Sequence, residues 1–215
     1  MPPVPIRAAF FDFGGVILSS PFEAFNAYEE AHGLPRDFIR GINATDPDTN
    51  AWARFERNEV DFDRFCDLFE AECVAAGQTL AARDMLRLLS GEIRPAMVQA
   101  VRRCREEGLV TACLTNNWVG FGDRPADATA DGRDVALSLF HHVIESSKVG
   151  VRKPDRRFYE LACELSGVTA DEAVFLDDLG VNLKPAAAMG MTTIKVVAPD
   201  QALADLEQVV GFSLA

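Results

Sequence analysis

The strongest constraint on this chain is a set of short apolar runs, each ending abruptly in polar groups. Residues 6–11 form an almost wholly apolar run rich in aromatics, the signature of a strand buried on both faces. It leads directly into Asp12 and then the Gly14-Gly15 pair, where the backbone must turn sharply. Residues 109–114 repeat the pattern and stop at Thr115-Asn116-Asn117, and residues 173–176 repeat it and stop at Asp177-Asp178. Shorter strand patterns lie at 142–144 and 192–197. Helical spacing fills the intervals 96–107, 135–140, 158–165, 183–189 and 202–210. Strands alternating with helices of this length predict an α/β fold, a Rossmann-like, doubly wound parallel sheet.

Residues 18–90 interrupt that alternation. Pro21 is a first-turn residue before Phe22, Phe25 and Tyr28, and Gly33 and Pro35 end that helix and begin another. Asp61 suits the N-cap of a stripe through Phe62, Phe65, Leu68, Phe69 and Cys73, and 85–89 continues in helical spacing. No strand pattern occurs here. The expected organisation is an α/β core made of 1–17 and 91–215, with 18–90 as a small all-helical insertion. The stretch 120–134, rich in Gly, Asp and Ala, reads as a loop.

Charge and cysteine content narrow the partners. With 21 Lys+Arg against 33 Asp+Glu the formal net charge is −12, which disfavours nucleic acid and anionic membrane. The five cysteines include no CxxC pair and no His at ligand spacing, so they read as reduced, buried thiols. No export signal is legible at the start, and no apolar run approaches a membrane span. A cytoplasmic location is therefore expected, and nothing indicates a homo-oligomer.

In an open parallel sheet, ligands bind beyond the carboxyl ends of the strands. Asp12, Thr115, Lys153 and Asp177-Asp178 all fall at such ends. Each alone is compatible with capping or turn chemistry. Three carboxylates, a hydroxyl and an amine in one crevice would repel or be left unpaired without a ligand. A divalent cation with hard oxygen ligands, Mg²⁺ above all, resolves that conflict.

The order Asp12, Thr115, Lys153, Asp177-Asp178 resembles the four motifs of the haloacid dehalogenase-like hydrolases, over essentially the whole chain. Phe11-Asp12-Phe13-Gly14-Gly15-Val16, Leu114-Thr115-Asn116-Asn117, Lys153-Pro154-Asp155 and Phe175-Leu176-Asp177-Asp178 carry the likeness. Thr115-Asn116-Asn117-Trp118 and 177–186 are closer still to the phosphatase-like N-terminal domain of soluble epoxide hydrolases and a related domain of certain acyl-CoA dehydrogenases. The resemblance implies a small helical cap over 18–90 and a phosphate monoester of a small molecule as substrate. It implies that Asp12 forms an aspartyl-phosphate. Asp12, the Gly14 carbonyl and Asp178 would hold Mg²⁺, with Asp177 behind them. Thr115 and the backbone at Asn116 would cradle the phosphoryl group, with Gly15, Asn117 and Trp118 also on the substrate side. Lys153 would neutralise charge and fix Asp12 and Asp178, and Asn182 would orient the acidic pair or the lysine. The Asp177-Asp178 pair favours phosphate chemistry over the metal-free cleavage of carbon–halogen bonds.

One position departs from the pattern. Phosphatases of this kind usually carry a second Asp two residues after the nucleophile, as general acid and base, and here that residue is Gly14. Either the leaving group needs little help, or a cap residue (His32, Glu23, Asp46 or Asp48) supplies the proton, or the chain binds a phospho-ligand with weakened turnover. The Phe residues at 22, 25, 55, 62, 65 and 69 read as core, and His141-His142 lacks partners for a metal. Lys148 and Arg152 either add positive charge near the phosphate or simply solvate a loop.

Overall fold

A computed structural model describes residues 4–87, 91–118 and 132–214. Strand β1 (Ala8–Phe11) pairs with β2 (Val110–Thr115) on one side and β4 (Ala173–Asp177) on the other. Strands β3 (His142–Glu145) and β5 (Thr192–Lys195) complete the sheet, in the order β3-β2-β1-β4-β5 with every pairing parallel. Each expected strand is present, shifted by one or two residues at its ends, so that Thr115 and Asp177 close their strands rather than follow them.

The continuous apolar character of β1 follows from its two buried faces. Ala9 and Phe11 pack with Met97, Ala100 and Cys104 of α6 (Pro95–Glu106) and with Ala202 and Leu206 of α11 (Pro199–Val210). The alternate residues, Ala8 and Phe10, face Phe158, Tyr159 and Ala162 of α9 (Arg156–Ser166) and Leu183 and Ala186 of α10 (Gly180–Ala188). Successive side chains point to opposite faces, so only a strand covered on both sides needs no polar residue.

The chain winds outward from β1 through β2 to β3, then returns to the other side of β1 at β4. The carboxyl ends of β1 and β4 therefore flank the switch point where ligands bind in open α/β sheets.

Between the first strand and α6 the described residues form five α-helices: α1 (Pro21–His32), α2 (Phe38–Ala44), α3 (Ala51–Glu56), α4 (Phe62–Ala75) and α5 (Ala82–Arg87). Local signals set their ends. Ser20 caps α1 ahead of Pro21, Gly33 terminates it at φ 66°, and Asp61 accepts from the Arg64 N–H at 2.8 Å. The second helix starts at Phe38 rather than at Pro35, because Asp37 adopts a left-handed conformation at its N-cap. These helices share a hydrophobic cluster of their own, including Phe25, Phe55, Phe65, Phe69 and Met85. An isolated antiparallel bridge, Leu18 to Ile93, ties the two ends of this segment together. The end of the helical pattern expected over 85–89 lies outside the described residues, as do all of 88–90.

Two further α-helices, α7 (Gly132–Ser138) and α8 (Ser146–Val149), flank β3. The expected loop over 120–134 therefore already gives way to helix at Gly132, and 119–131 lie outside the described residues. All five cysteines are free thiols, four buried and Cys163 half-buried. Among the described residues no helix is long and apolar enough to cross a membrane.

Candidate active site

At the end of β1, Asp12 remains extended (φ −66°, ψ 162°), and its Oδ1 accepts the Phe13 N–H at 2.6 Å. The chain then turns tightly through Gly14 and Gly15 and meets Leu18, whose N–H returns to the Phe13 carbonyl. Gly15 is required here. It has φ 77°, and a Cβ on it would lie 2.2 Å from Oδ2 of Asp178. The glycine thus lets Asp178 sit directly against the turn that follows β1. Its carbonyl accepts from Arg94 Nη1 at 2.6 Å.

Lys153 ties the strand ends together. Its ammonium lies 2.8 Å from Asp12 Oδ1 and 2.7 Å from Asp177 Oδ2, and the residue is 1% exposed. The expected partner was Asp178, but the structure gives Asp177 instead. The reason is positional: Asp177 still belongs to β4 and is fully buried, whereas Asp178 lies past the strand against Gly15. The Asp177 carboxylate is saturated. Besides Lys153, it accepts both from Asn182 Nδ2 (3.1 Å to each oxygen) and from the Leu179 N–H at 2.8 Å. Tyr159 donates to the Asn182 carbonyl at 2.7 Å and braces that residue from the α9 side.

The second strand contributes Thr115 and Asn116. Asn116 clamps the Lys153 backbone with two bonds, Nδ2 to the Lys153 carbonyl at 3.0 Å and the Lys153 N–H to Oδ1 at 2.9 Å. Asn117, expected on the substrate side, turns away. It is 4% exposed, its amide reaches Glu145 at 2.7 Å, and it accepts from Ser147 at 2.8 Å. Its backbone is bound on both sides by the Ser146 hydroxyl. Asn117 anchors β2 to the turn after β3. Gly15 likewise lies off the cavity, beneath Asp178.

These groups form the floor of a cavity of about 920 Å³. Asp12, Gly14, Thr115, Asn116, Lys153, Asp178 and Asn182 all line it, together with Trp118. Its roof comes from the helical segment: Phe22 and Phe25 of α1, Arg40 and Asn43 of α2, and Trp52 and Glu56 of α3. Trp118 is half-buried, stacks on Phe55 (centroids 5.4 Å apart) and meets Trp52 edge-on, so it joins roof to floor. Of the four acids and bases considered as proton donors, Glu23 and Asp48 line the cavity. His32 instead stacks on Tyr28 and donates from Nδ1 to that residue's carbonyl, and Asp46 lies off the cavity.

The structure adds two residues that sequence reasoning passed over or left undecided. Glu56, 7% exposed, lies 2.6 Å from Arg152 Nε, and Arg152 Nη1 donates to the Pro47 carbonyl at 2.8 Å. Arg152 thus supplies its charge to the roof of the cavity, while Lys148 spends its own on Glu145. Glu56 closes a six-residue helix, and nothing in its spacing signals that it faces a ligand space. His141 is structural, its Nδ1 held by the Thr111 N–H and hydroxyl.

Electrostatics set the floor apart from an ordinary ion pair. Asp12, Asp177 and Asp178 bring one carboxylate oxygen each within 4.8 Å of one another, with only Lys153 between them. Burial, then the neighbouring Asp177 and Asp178, pushes Asp12 well above the usual carboxylate range against the pull of Lys153. Burial and then Asp177 push Asp178 up to about 6. Burial opposes the Lys153 charge, but Asp12 and Asp177 outweigh it and hold its pKa above the usual lysine value. Excess buried negative charge of this kind is what a hard divalent cation relieves. With Asp177 saturated, Asp12 and Asp178 are the carboxylates with an oxygen to spare.

A family model described as haloacid dehalogenase-like hydrolase matches residues 6–190. The chain belongs to that family. Among curated relatives, the hydrolase is 35% identical over 97% of its length to acyl-CoA dehydrogenase family member 10 of Mus musculus, covering 19% of that protein. It is 33% identical over 96% of its length to bifunctional epoxide hydrolase 2 of the same organism, covering 39% of that protein. The chain thus spans well under half the length of these relatives. It is 27% identical to the sesquiterpene phosphatase astK of Aspergillus oryzae, over 95% of this chain and 97% of that one. A family enzyme from Bacteroides thetaiotaomicron, solved with magnesium and inorganic phosphate, shares the fold with a TM-score of 0.57 at 19% identity, over 88% of this chain and 93% of that one.

Proposed function

We propose that this hydrolase cleaves phosphate monoesters of small molecules, with Mg²⁺ as cofactor and Asp12 as nucleophile. The observation that carries the reading is the Asp12–Lys153–Asp177 triad at the floor of an open cavity, with Asp178 left over beside it. A purely structural cluster would bring equal charge; this one has an acid too many. The phosphatase among the relatives supports the reaction class.

In this reading Asp12 attacks phosphorus. Oδ1 already accepts from Phe13 and Lys153, which leaves Oδ2 as the attacking oxygen. Forming the aspartyl-phosphate splits a difficult displacement into two steps. Asp12, the Gly14 carbonyl and Asp178 hold Mg²⁺, which supplies charge neutralisation for the phosphoryl oxygens. Thr115 and the Asn116 backbone receive those oxygens, while Asn182 and Lys153 keep Asp177 and Asp12 in register. Residues 18–90 act as the cap, and their aromatic roof accepts the leaving group. No nucleic acid or membrane partner is part of this reading; the formal net charge of −12 opposes both. The chain works in the cytoplasm.

Release of inorganic phosphate from p-nitrophenyl phosphate, with and without Mg²⁺, tests the proposal against an Asp12→Asn control. Turnover that needs both the metal and Asp12 is expected. A folded, Mg²⁺-binding protein without turnover would leave a phospho-ligand-binding module, and halide release without metal would point to dehalogenation.

A further inference from the structure

In-line displacement places the leaving oxygen opposite the attacking one. If Asp12 attacks from the floor, as proposed above, the alcohol departs toward the roof. Nothing on the floor is free to protonate it. Asp12 and Asp177 hold Lys153 in its charged form, the Asp177 oxygens are saturated, Thr115 donates to the Asn116 carbonyl, and Asp178 is taken up with Mg²⁺ in the reading above. Position 14 has no side chain, and a Cβ there would meet no atom within 4 Å, so that wall is open space. A proton donor must therefore come from above. Away from the floor the lining carries four carboxyls, Glu23, Asp48, Glu56 and Glu92, and all but Glu56 are exposed to solvent. Glu56 alone is buried among them, set between Arg152 and Trp52 at the cavity wall.

We propose that Glu56 is a catalytic residue, the proton donor to the leaving alcohol and then the acceptor of a proton from the hydrolytic water. In the first half-reaction the bond from Asp12 to phosphorus forms and the ester P–O bond breaks. Its electron pair goes to the leaving oxygen, which takes the Glu56 proton and departs as the alcohol. In the second, a water oxygen bonds to phosphorus, the Asp12–phosphorus bond breaks, Asp12 returns as carboxylate, and the water proton goes to Glu56. Burial raises Glu56 above its usual value, with Arg152 opposing, which suits a group that must hold and regain a proton. Arg152 keeps its place throughout because its second anchor is the Pro47 carbonyl.

The test compares two esters of similar bulk on the Mg²⁺-loaded full chain, p-nitrophenyl phosphate and p-nitrobenzyl phosphate. The aryl leaving group departs with little protonation and the benzyl alcohol does not. Glu56→Gln is expected to lower kcat/KM for the benzyl ester by roughly 10² to 10⁴ more than for the aryl ester. Glu56→Asp, which keeps the carboxyl one methylene back, should show the same selective loss to a smaller degree and covers the case of a Gln variant that does not fold. Equal losses on both esters would make Glu56 a structural partner of Arg152 and overturn the proposal. So would a wild type that splits the aryl ester but not the benzyl ester. A wild type inactive on both would instead sink the phosphomonoesterase reading on which the proposal rests.

Discussion

The floor and the roof of the cavity are built on opposite principles. The floor is polar, rigid and over-determined: Lys153, Asp177, Asn182 and Asn116 hold one another by at least two bonds each. The roof is an aromatic stack, Phe65 on Phe55 on Trp118, with centroids 4.3 and 5.4 Å apart. Strand ends can place charges to within tenths of an ångström because the sheet ladder fixes their spacing. Packed rings give apolar area and shape without such directionality. In the proposed reading, chemistry falls where the backbone is held from both sides, and selectivity where it is held only by packing.

The sharpest way to break the contrast is at Lys153. Its replacement by Ala leaves Asp12 and Asp177 buried without their cation. Breaking a buried ion pair from one side costs about 3–5 kcal/mol, and turnover should vanish with it. Urea unfolding measures the first, phosphate release the second. A loss below about 1 kcal/mol would mean that water already solvates the cluster.

At the roof, Phe65→Ala should cost a comparable or slightly smaller amount, roughly 3 kcal/mol, from lost burial and a cavity. It should nevertheless leave Mg²⁺ stabilisation of the protein intact. Trp52 and Trp118, the two tryptophans of the chain, both belong to the roof, so their fluorescence reports that region. A fluorescence transition that runs ahead of the far-ultraviolet circular dichroism would show the roof loosening first. Loss of the Mg²⁺ effect would mean that the two regions are one energetic unit.

The two regions also differed in what could be read from sequence. The floor was legible because a strand buried on both faces has no use for polar residues except at its end, so Asp12, Thr115 and Asp177 stand out. Reading failed where side-chain direction mattered. Asn116 and Asn117 look alike in sequence, yet one clamps Lys153 and the other faces Ser146 and Ser147. Lys153 could reach either member of the acidic pair, and only the register of β4 chose Asp177. The roof was legible as amphipathic stripes, which tell which face of a helix is buried but not what it covers. Glu56 escaped notice because its burial depends on Arg152, 96 positions away by sequence number.

A smaller effect separates the regions by pH. Burial, then Asp177, pushes Asp178 up to about 6, above its unfolded value, and Asp12 is raised in the same direction. In the metal-free protein these groups bind protons that the unfolded chain has already released. Their contribution is present below the ordinary carboxylate pKa and is lost as pH rises through about 6, so metal-free stability should fall between pH 4 and 7, by about 2 kcal/mol. Mg²⁺ needs the ionised carboxylates, so its stabilising effect should grow over the same range. Thermal melts in chelator and in Mg²⁺ check both signs. Glu56 of the roof, raised by burial against Arg152, adds to the slope in the same direction, and Phe65→Ala should shift both curves equally.

The mildest substitution lies where roof meets floor. Trp118 follows Asn117 directly, yet its ring stacks on Phe55 of the opposite layer and lines the cavity. Trp118→Phe keeps an aromatic face and shortens its reach, which should forfeit part of one ring contact, about 0.5–1.5 kcal/mol. If the ring only receives the leaving group, KM for p-nitrophenyl phosphate should rise by about 2- to 12-fold while kcat holds, because the contact is equal in ground and transition states. A fall in kcat at unchanged KM would instead mean that the ring sets the angle of the ester over Asp12. The roof would then share in the positioning that this comparison assigns to the floor.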